Sequence, residues 1–198
     1  VVNKDRIVMA PLNPWDWEDP DKVAVGNFRT GRAGLEIFCR SSASDGTCPR
    51  PQVDQYEECP WVHDAQGAVI NKYYLYDSPG RPAWWTTRGA EEIVRIDWDG
   101  NAREEIVGKE RHEYGGIAIL DAPTGTFEKA VNMEAMRVYA ADILGDYREE
   151  VIVVDWNGGQ GNKVKIFWND QPNTNTKPRY WTLQHYRRQK QNWNYYSP

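Results

Sequence analysis

The sequence predicts an all-β protein made of β-propeller blades, about three four-stranded blades that form an incomplete propeller on their own. Two observations support this prediction. Acidic, glycine-containing turns are each followed at once by β-branched residues, and this unit recurs at intervals of about 40–50 residues. No segment shows the apolar periodicity of a convincing amphipathic helix, and residues 133–139 would form one helical turn at most.

The first unit spans residues 22–76 and follows residues 1–21, which we interpret as the end of a preceding blade and a loop. All three cysteines, Cys39, Cys48 and Cys59, lie in this unit. One disulfide that closes the insertion between its strands would suit an extracytoplasmic protein, and three unpaired thiols are the alternative. The cysteine spacing does not favour a zinc site.

The second and third units span residues 91–131 and 137–198. In the second unit, residues 117–120 and 127–130 flank a turn and predict the clearest hairpin of the chain. The third unit ends in a tail that is dense in Tyr, Trp, Arg and Asn and too polar for a core strand.

Two of the turns carry the oxygen donors that Ca²⁺ prefers, namely several carboxylates and a carboxamide at short spacing. In the alternative interpretation, these side chains cap backbone amides and pair with Arg103 or Arg148. A cation in either turn would stabilise the structure and take no part in catalysis. The candidate ligands are Asp97, Asp99, Asn101 and Glu105 in one turn, and Asp142, Asp146 and Glu150 in the other. The turn after residue 26 is a degraded copy, in which a cation is not expected.

Charge and composition narrow the function classes. The net charge of −5 argues against nucleic-acid binding, and no stretch reaches the roughly 20 apolar residues of a membrane helix. Ten Trp and eleven Tyr indicate either a stacking surface for flat ligands such as sugars or an aromatic core. The chain lacks an initiator Met and a signal-peptide pattern at its start, so we expect a processed or truncated chain.

An ordered series of segments resembles the C-terminal part of the rhamnogalacturonan lyases of polysaccharide lyase family 11. The segments GLEIF and KERHE, at residues 34–38 and 109–113, fit the same family or a bacterial branch beside it. The series comprises ADILGDYREE (141–150), VKIF (164–167), YWTL (180–183), HYR (185–187) and WNYYSP (193–198).

The resemblance implies a secreted β-propeller that binds several Ca²⁺ ions and cuts the rhamnose–galacturonate backbone of pectin by β-elimination. Family members are much longer, so the chain matches about three C-terminal blades. It also implies that the missing blades come from the same or another chain, because an incomplete propeller leaves strand edges unpaired.

β-Elimination on a uronide needs a cation on the carboxylate, a base for the C5 proton and an acid for the leaving oxygen. Lys109, Arg111 and His112 place two cations and an imidazole in a short segment that suits carboxylate binding. The alternative is a solvated loop neutralised by its glutamates. The resemblance adds Arg137 as a basic candidate and Tyr196 as the proton-transfer group.

The aromatic tail supplies the remaining candidates. Tyr195 rivals Tyr196 for the proton-transfer role, and we expect His185, Tyr186 and Arg187 to contact substrate. In the alternative interpretation, the tyrosines fasten the last strand.

Taken together, these patterns predict part of an extracellular or periplasmic polysaccharide lyase that acts on an acidic polysaccharide and uses Ca²⁺. The alternative is a non-catalytic propeller module for glycan binding or extracellular assembly. Adhesion of the integrin type has weaker support, because it rests only on the acidic repeats. Neither a nucleic-acid nor a membrane partner is expected.

Overall fold

The structure, a computed structural model, describes residues 20–41, 59–87, 89–110, 114–173 and 178–191. It contains two antiparallel sheets, so the all-β class is confirmed. The first sheet has the order β1-β2-β3-β4, in which every strand pairs with its neighbour in sequence. Its strands are β1 (Pro20–Gly26), β2 (Glu36–Ser41), β3 (Trp61–His63) and β4 (Val69–Lys72).

The second sheet has six strands in sequence order, from β5 at one edge to β10 at the other. The predicted hairpin at residues 117–130 is confirmed as the connection between β7 and β8. The strands are β5 (Ala90–Ile96), β6 (Glu105–Glu110), β7 (Gly115–Leu120), β8 (Phe127–Ala141), β9 (Glu150–Asp155) and β10 (Lys163–Phe167).

The fifteen residues of β8 join the second and third predicted units into one sheet. The first part of β8 pairs with β7 and the last part pairs with β9, and Ala135 belongs to both ladders. Residues 133–139, where we expected one helical turn at most, therefore lie in a strand. The arrangement of the sheets as propeller blades, and the division at residues 76, 91, 131 and 137, stay predictions.

Two apolar clusters lie on opposite faces of β6 and β7, both of which are buried along their whole length. Ile106 belongs to the cluster that joins the two sheets, whereas its neighbour Val107 belongs to the cluster inside the second sheet. This division follows from the alternation of side chains along a strand. Burial on both faces accounts for the apolar sequence of β7, whereas β6 carries three charged residues, Glu105, Lys109 and Glu110, at its ends.

A short helix near the C-terminus contradicts the expectation that no helix forms. Helix α1 (Gln184–Gln191) has one buried residue, Tyr186, in two turns of otherwise polar sequence. It therefore lacks the apolar stripe by which helices are recognised. No helix in the described part of the chain is long and apolar enough to cross a membrane.

The cysteines differ in state. Cys59 is disulfide-bonded, which agrees with the expectation of one disulfide in this unit. Cys39 is a free thiol, and burial raises its pKa to about 12. Cys48 lies outside the described residues.

Candidate functional site

The three turns that follow β1, β5 and β8 share one arrangement. The strand after each turn begins with a buried glutamate, namely Glu36, Glu105 and Glu150. Each carboxylate folds back and accepts a hydrogen bond from the backbone N–H of the second turn residue, at 2.9, 3.2 and 2.7 Å respectively. The degraded first turn therefore keeps its closing glutamate, a feature that the sequence analysis missed.

The polar side chains of the second turn cap its own backbone. Asp97 Oδ1 accepts a hydrogen bond from an amide three residues further on at 2.9 Å, and Asp99 Oδ1 accepts one from the Asn101 amide at 3.0 Å. The other oxygen of Asp97 accepts a hydrogen bond from the Tyr180 hydroxyl. Such side-chain caps are the alternative that the sequence left open for this turn.

The third turn combines capping with an ion pair. Asp142 Oδ1 accepts hydrogen bonds from the amides of Gly145 at 2.7 Å and of Asp146 at 3.1 Å. The Arg148 guanidinium pairs with the Asp146 carboxylate at 2.5 Å. Burial alone would raise the pKa of Asp146, but the hydrogen bonds from Arg148 outweigh burial and lower it.

Each of these two turns nevertheless holds one buried carboxylate oxygen without a hydrogen-bond partner, Glu105 Oε1 and Asp142 Oδ2. Burial, followed by the nearby Asp99 charge, raises the pKa of Glu105 to about 8. Burial also raises the pKa of Asp142 and of Glu150. A cation would satisfy these oxygens and reverse those shifts.

The carboxylates are not gathered as a complete cage would require. In the described residues, no three Asp, Glu, His or Cys side chains converge on a point where an ion would bind. The two oxygens without a hydrogen bond fit Ca²⁺ in chemical type and burial, but Glu105 Oε1 lies 3.8 Å from Arg103 Nη2 and other donors of the turns are engaged with backbone amides. Ca²⁺ binding therefore stays a prediction.

The turns are linked in series by a second glutamate. Glu104 exchanges two hydrogen bonds with the backbone of Asn27, at 2.7 and 2.8 Å. Glu149 forms the same pair of bonds with Asp97, at 3.0 and 2.7 Å. Arg95 joins the two links, since its Nη1 lies 2.8 Å from Glu104 Oε1 and 3.1 Å from Glu149 Oε2. In each Glu-Glu pair, one carboxylate thus closes its own turn and the other contacts the turn before.

Helix α1 completes this series at the third turn. The Tyr186 hydroxyl accepts a hydrogen bond from the Asp142 amide at 2.8 Å and donates one to Glu149 Oε1 at 2.9 Å. Lys190 Nζ lies 2.7 Å from the same Glu149 oxygen. Burial would raise the pKa of Glu149, but the charges of Arg95 and Lys190 outweigh it and lower the pKa.

The three predicted substrate-binding residues of this helix are in different environments. Tyr186 is 3% exposed and occupied by the two hydrogen bonds just described, whereas His185 and Arg187 are exposed. The polar sequence of the helix gave no signal that Tyr186 and Lys190, four residues apart and so on one face, dock it onto Glu149.

A second cluster lies at the start of β5, about 20 Å from the acidic turn at its end if the strand rises 3.3 Å per residue. Here the structure brings together two basic candidates that are 28 residues apart (137 − 109). Lys109 is fully buried, and its Nζ lies 2.7 Å from Glu91 Oε2. Arg137 is 47% exposed, and its Nη1 lies 3.5 Å from Glu92 Oε1.

Glu92 is the centre of this cluster and was missed by the sequence analysis. It is 1% exposed, and its Oε2 accepts a hydrogen bond from the Val138 amide at 2.7 Å. Burial raises the pKa of Glu92, and the charges of Arg137 and Lys109 oppose that rise. The sequence around Glu92 does not predict its burial, because the residues that cover it lie on β8, which is distant in sequence.

The remaining candidates cannot be placed. Arg111, His112, Tyr195 and Tyr196 lie outside the described residues. The last contacts of helix α1 are with β8, where the Tyr139 hydroxyl donates a hydrogen bond to the Lys190 carbonyl at 2.8 Å. The C-terminal end of α1 thus lies two residues along β8 from Arg137.

Comparison of the chain with protein-family models, with curated proteins and with solved structures found no match in any of the three.

Proposed function

We propose that this chain is part of an extracellular polysaccharide lyase that cleaves a rhamnogalacturonan-like acidic glycan by β-elimination. The observation that supports the proposal most is the contact of Arg137 with the buried Glu92, whose ladder partner Lys109 pairs with the neighbouring Glu91. Two strands that are not adjacent in sequence thus bring cationic groups close to one buried carboxylate, and perturbed titratable groups of this kind concentrate at functional sites.

In this proposal, Arg137 binds the uronate carboxylate of the substrate. Its guanidinium is half exposed and pairs with the buried Glu92 carboxylate at 3.5 Å. A guanidinium group is suited to bidentate contact with a planar carboxylate. Such contact withdraws charge from the uronate and acidifies the C5 proton. Lys109 is fully buried, so it contributes charge beneath the surface and does not contact the glycan.

The proton transfers are assigned by resemblance alone. Tyr196 takes the proton-transfer role, with Tyr195 as its rival, and Arg111 and His112 extend the basic group that follows Lys109 in sequence. His185 and Arg187 are exposed and remain available for the glycan, whereas Tyr186 docks α1. Ca²⁺, when bound, would neutralise the buried carboxylates of the second and third turns.

The proposal includes a propeller completed by further blades from the same or another chain. Exposed apolar side chains on two edge strands, β1 and β10, support it. Val23 and Val25 on the edge strand β1 are 55% and 48% exposed, and Val164 on the edge strand β10 is 67% exposed. Neighbouring blades would cover such side chains.

A second candidate is a non-catalytic module for glycan binding or extracellular assembly. The same exposed apolar side chains favour it, as does the burial of Lys109 and Tyr186, because two candidate residues are withdrawn from any glycan.

One experiment separates the candidates. The full chain is incubated with rhamnogalacturonan and with polygalacturonate, with and without a chelator, and the ultraviolet absorbance of the unsaturated uronide product is followed. If the chain is a lyase, the product should be lost in Arg137→Ala and in Tyr196→Phe and partly restored in Arg137→Lys. The control is Arg32→Ala, which removes an exposed arginine of the first turn and should leave the product unchanged. Native mass first shows whether the chain is assembled with the blades that complete the propeller. In that assembly, glycan binding without product supports the module.

A further inference from the structure

A groove of about 640 Å³ opens between the β7–β8 hairpin and β10, and its lining includes none of the residues of the Glu92 cluster, namely Glu91, Glu92, Lys109 and Arg137. Its floor is aliphatic and aromatic, with Ile117, Ile119 and Phe167 extending from the apolar cluster inside the sheet. The volume lies within the range of small-molecule sites, which are concave and mostly apolar with a few polar groups.

Two indoles and several polar side chains lie together among the lining residues. Trp168 is 58% exposed although it is one of the largest apolar side chains of the chain, and Trp98 is half-buried nearby. Asp99 and Asp170 lie exposed beside them. Planar aromatic faces next to carboxylates are the groups that bind the C–H face and the hydroxyls of a sugar ring.

The segments that carry the two indoles are held in place by hydrogen bonds. Asn169 Nδ2 donates to the Trp98 carbonyl at 3.2 Å, and Asn169 Oδ1 accepts from the Gln171 amide at 3.1 Å. The buried Arg148 donates to the Gln171 carbonyl at 2.7 Å. Because these contacts fix the segment after β10 against the second turn, a ligand would meet a preformed surface and lose less entropy on binding.

The charges around the groove decide the class of ligand. Asp99 and Asp170 are exposed carboxylates of the lining, Glu128 is already paired with the Arg103 guanidinium at 2.7 Å, and Lys129 is the one cationic side chain among the lining residues. An acidic glycan would be repelled, whereas neutral hydroxyls can donate hydrogen bonds to the carboxylates. Trp168, at 58% exposure, also shows that some of the many tryptophans lie at the surface and not in the core.

We propose that this groove binds a neutral sugar, with Trp168 stacking on the ring and Asp99 and Asp170 accepting hydrogen bonds from its hydroxyls. This site is separate from the proposed lyase centre, and its ligand differs in charge from the acidic backbone assigned to that centre.

The test is isothermal titration calorimetry of the full chain with two probes, galactotetraose as the neutral sugar and tetragalacturonate as its acidic counterpart. We expect saturable binding of galactotetraose that falls by about tenfold in Trp168→Ala, the loss expected when one stacked aromatic ring is removed. Trp156→Ala is the matched control, since Trp156 is half-buried against Tyr114 and does not line the groove.

Three results would overturn the proposal: no saturable binding of the neutral sugar by the wild-type chain, equal loss in both tryptophan variants, or tetragalacturonate competing with galactotetraose in a manner that depends on Trp168. Binding is measured without turnover, so loss of this site and failure of the lyase proposal are distinguishable. Circular dichroism of each variant confirms that the sheets are intact.

Discussion

Tyr186→Phe removes one oxygen that joins helix α1 to two parts of the third turn. The ring remains, with its stacking on Tyr180 at 4.9 Å between centroids and its edge contact with Trp181 at 5.2 Å, so packing is preserved. The loss is confined to the hydrogen bonds with Asp142 and Glu149. Burial and the Glu149 charge raise the pKa of Tyr186 above its ordinary value, so the hydroxyl is protonated and donates at neutral pH.

The magnitude follows from the two partners. The Asp142 amide is buried and loses its acceptor, which costs about 1–3 kcal/mol. Glu149 keeps its contacts with Lys190, Arg95 and the Asp97 amide, so loss of the tyrosine donor costs only about 0.5–1.5 kcal/mol more. The free energy of unfolding should therefore fall by about 1.5–4.5 kcal/mol, the sum of these ranges.

Urea unfolding of the full chain, followed by circular dichroism, measures this change as a shift in midpoint at constant slope. Tyr139→Phe is the matched control, because the Tyr139 hydroxyl donates to the half-buried Lys190 carbonyl at 2.8 Å and loss of this bond should cost only about 0.5–1.5 kcal/mol. Equal losses in the two variants, or less than about 0.5 kcal/mol in Tyr186→Phe, would refute the idea that α1 completes the series of turns.

Three further predictions concern the turns. Burial raises the pKa of Glu105 in the folded chain from its ordinary 4.5 to about 8, so the folded state binds this proton more tightly than the unfolded state does. Without divalent cations, the free energy of unfolding should therefore decline between these two pH values, by at most about 1.4 kcal/mol per pH unit. Glu105→Gln should flatten this pH profile, which urea unfolding measures. Ca²⁺ should raise the melting temperature of the chain, and at a hundredfold excess over its dissociation constant it should add about 2.7 kcal/mol to the free energy of unfolding. Asp142→Asn should reduce this effect, and equal responses to Ca²⁺ and Mg²⁺ would count against the site. Gly125→Ala in the β7–β8 hairpin should lower the free energy of unfolding by about 2 kcal/mol or more, because φ is +74° and the new Cβ would lie 2.3 Å from the Tyr73 ring. Gly31→Ala is the control: its φ is similar but the space around it is open, so it should cost only the backbone strain of a positive φ.

Local chemistry accounts for what could be predicted. The turns after β5 and β8 and the hairpin at residues 117–130 follow from acidic, glycine and β-branched residues that lie close together in sequence. The continuity of β8 did not follow, because Glu128, Lys129 and Asn132 give its first half a polar, exposed appearance. Pairing with β7 and then β9, and not propensity, holds this segment extended.

The functional candidates show the same division. Lys109 and Arg137 were selected as basic residues, but only the tertiary structure reveals that they pair with two adjacent glutamates, Glu91 and Glu92. In the sequence, Glu92 looks like a surface glutamate. Helix α1 was missed because side chains of Tyr186 and Lys190 hold it through hydrogen bonds and charge, and helices without an apolar stripe depend on such contacts.

The tandem glutamates constrain the length of each turn more strictly than its composition. Neighbouring residues of an extended segment project to opposite sides, so Glu149 contacts the preceding turn while Glu150 folds inward. A single-residue insertion or deletion before this pair would exchange their directions, turning the inward carboxylate toward Asp97 and leaving the Ile143 amide uncapped. Homologous chains should therefore differ freely in which residues form each turn. They should differ much less in the number of residues between the end of a strand and the glutamate pair that follows it.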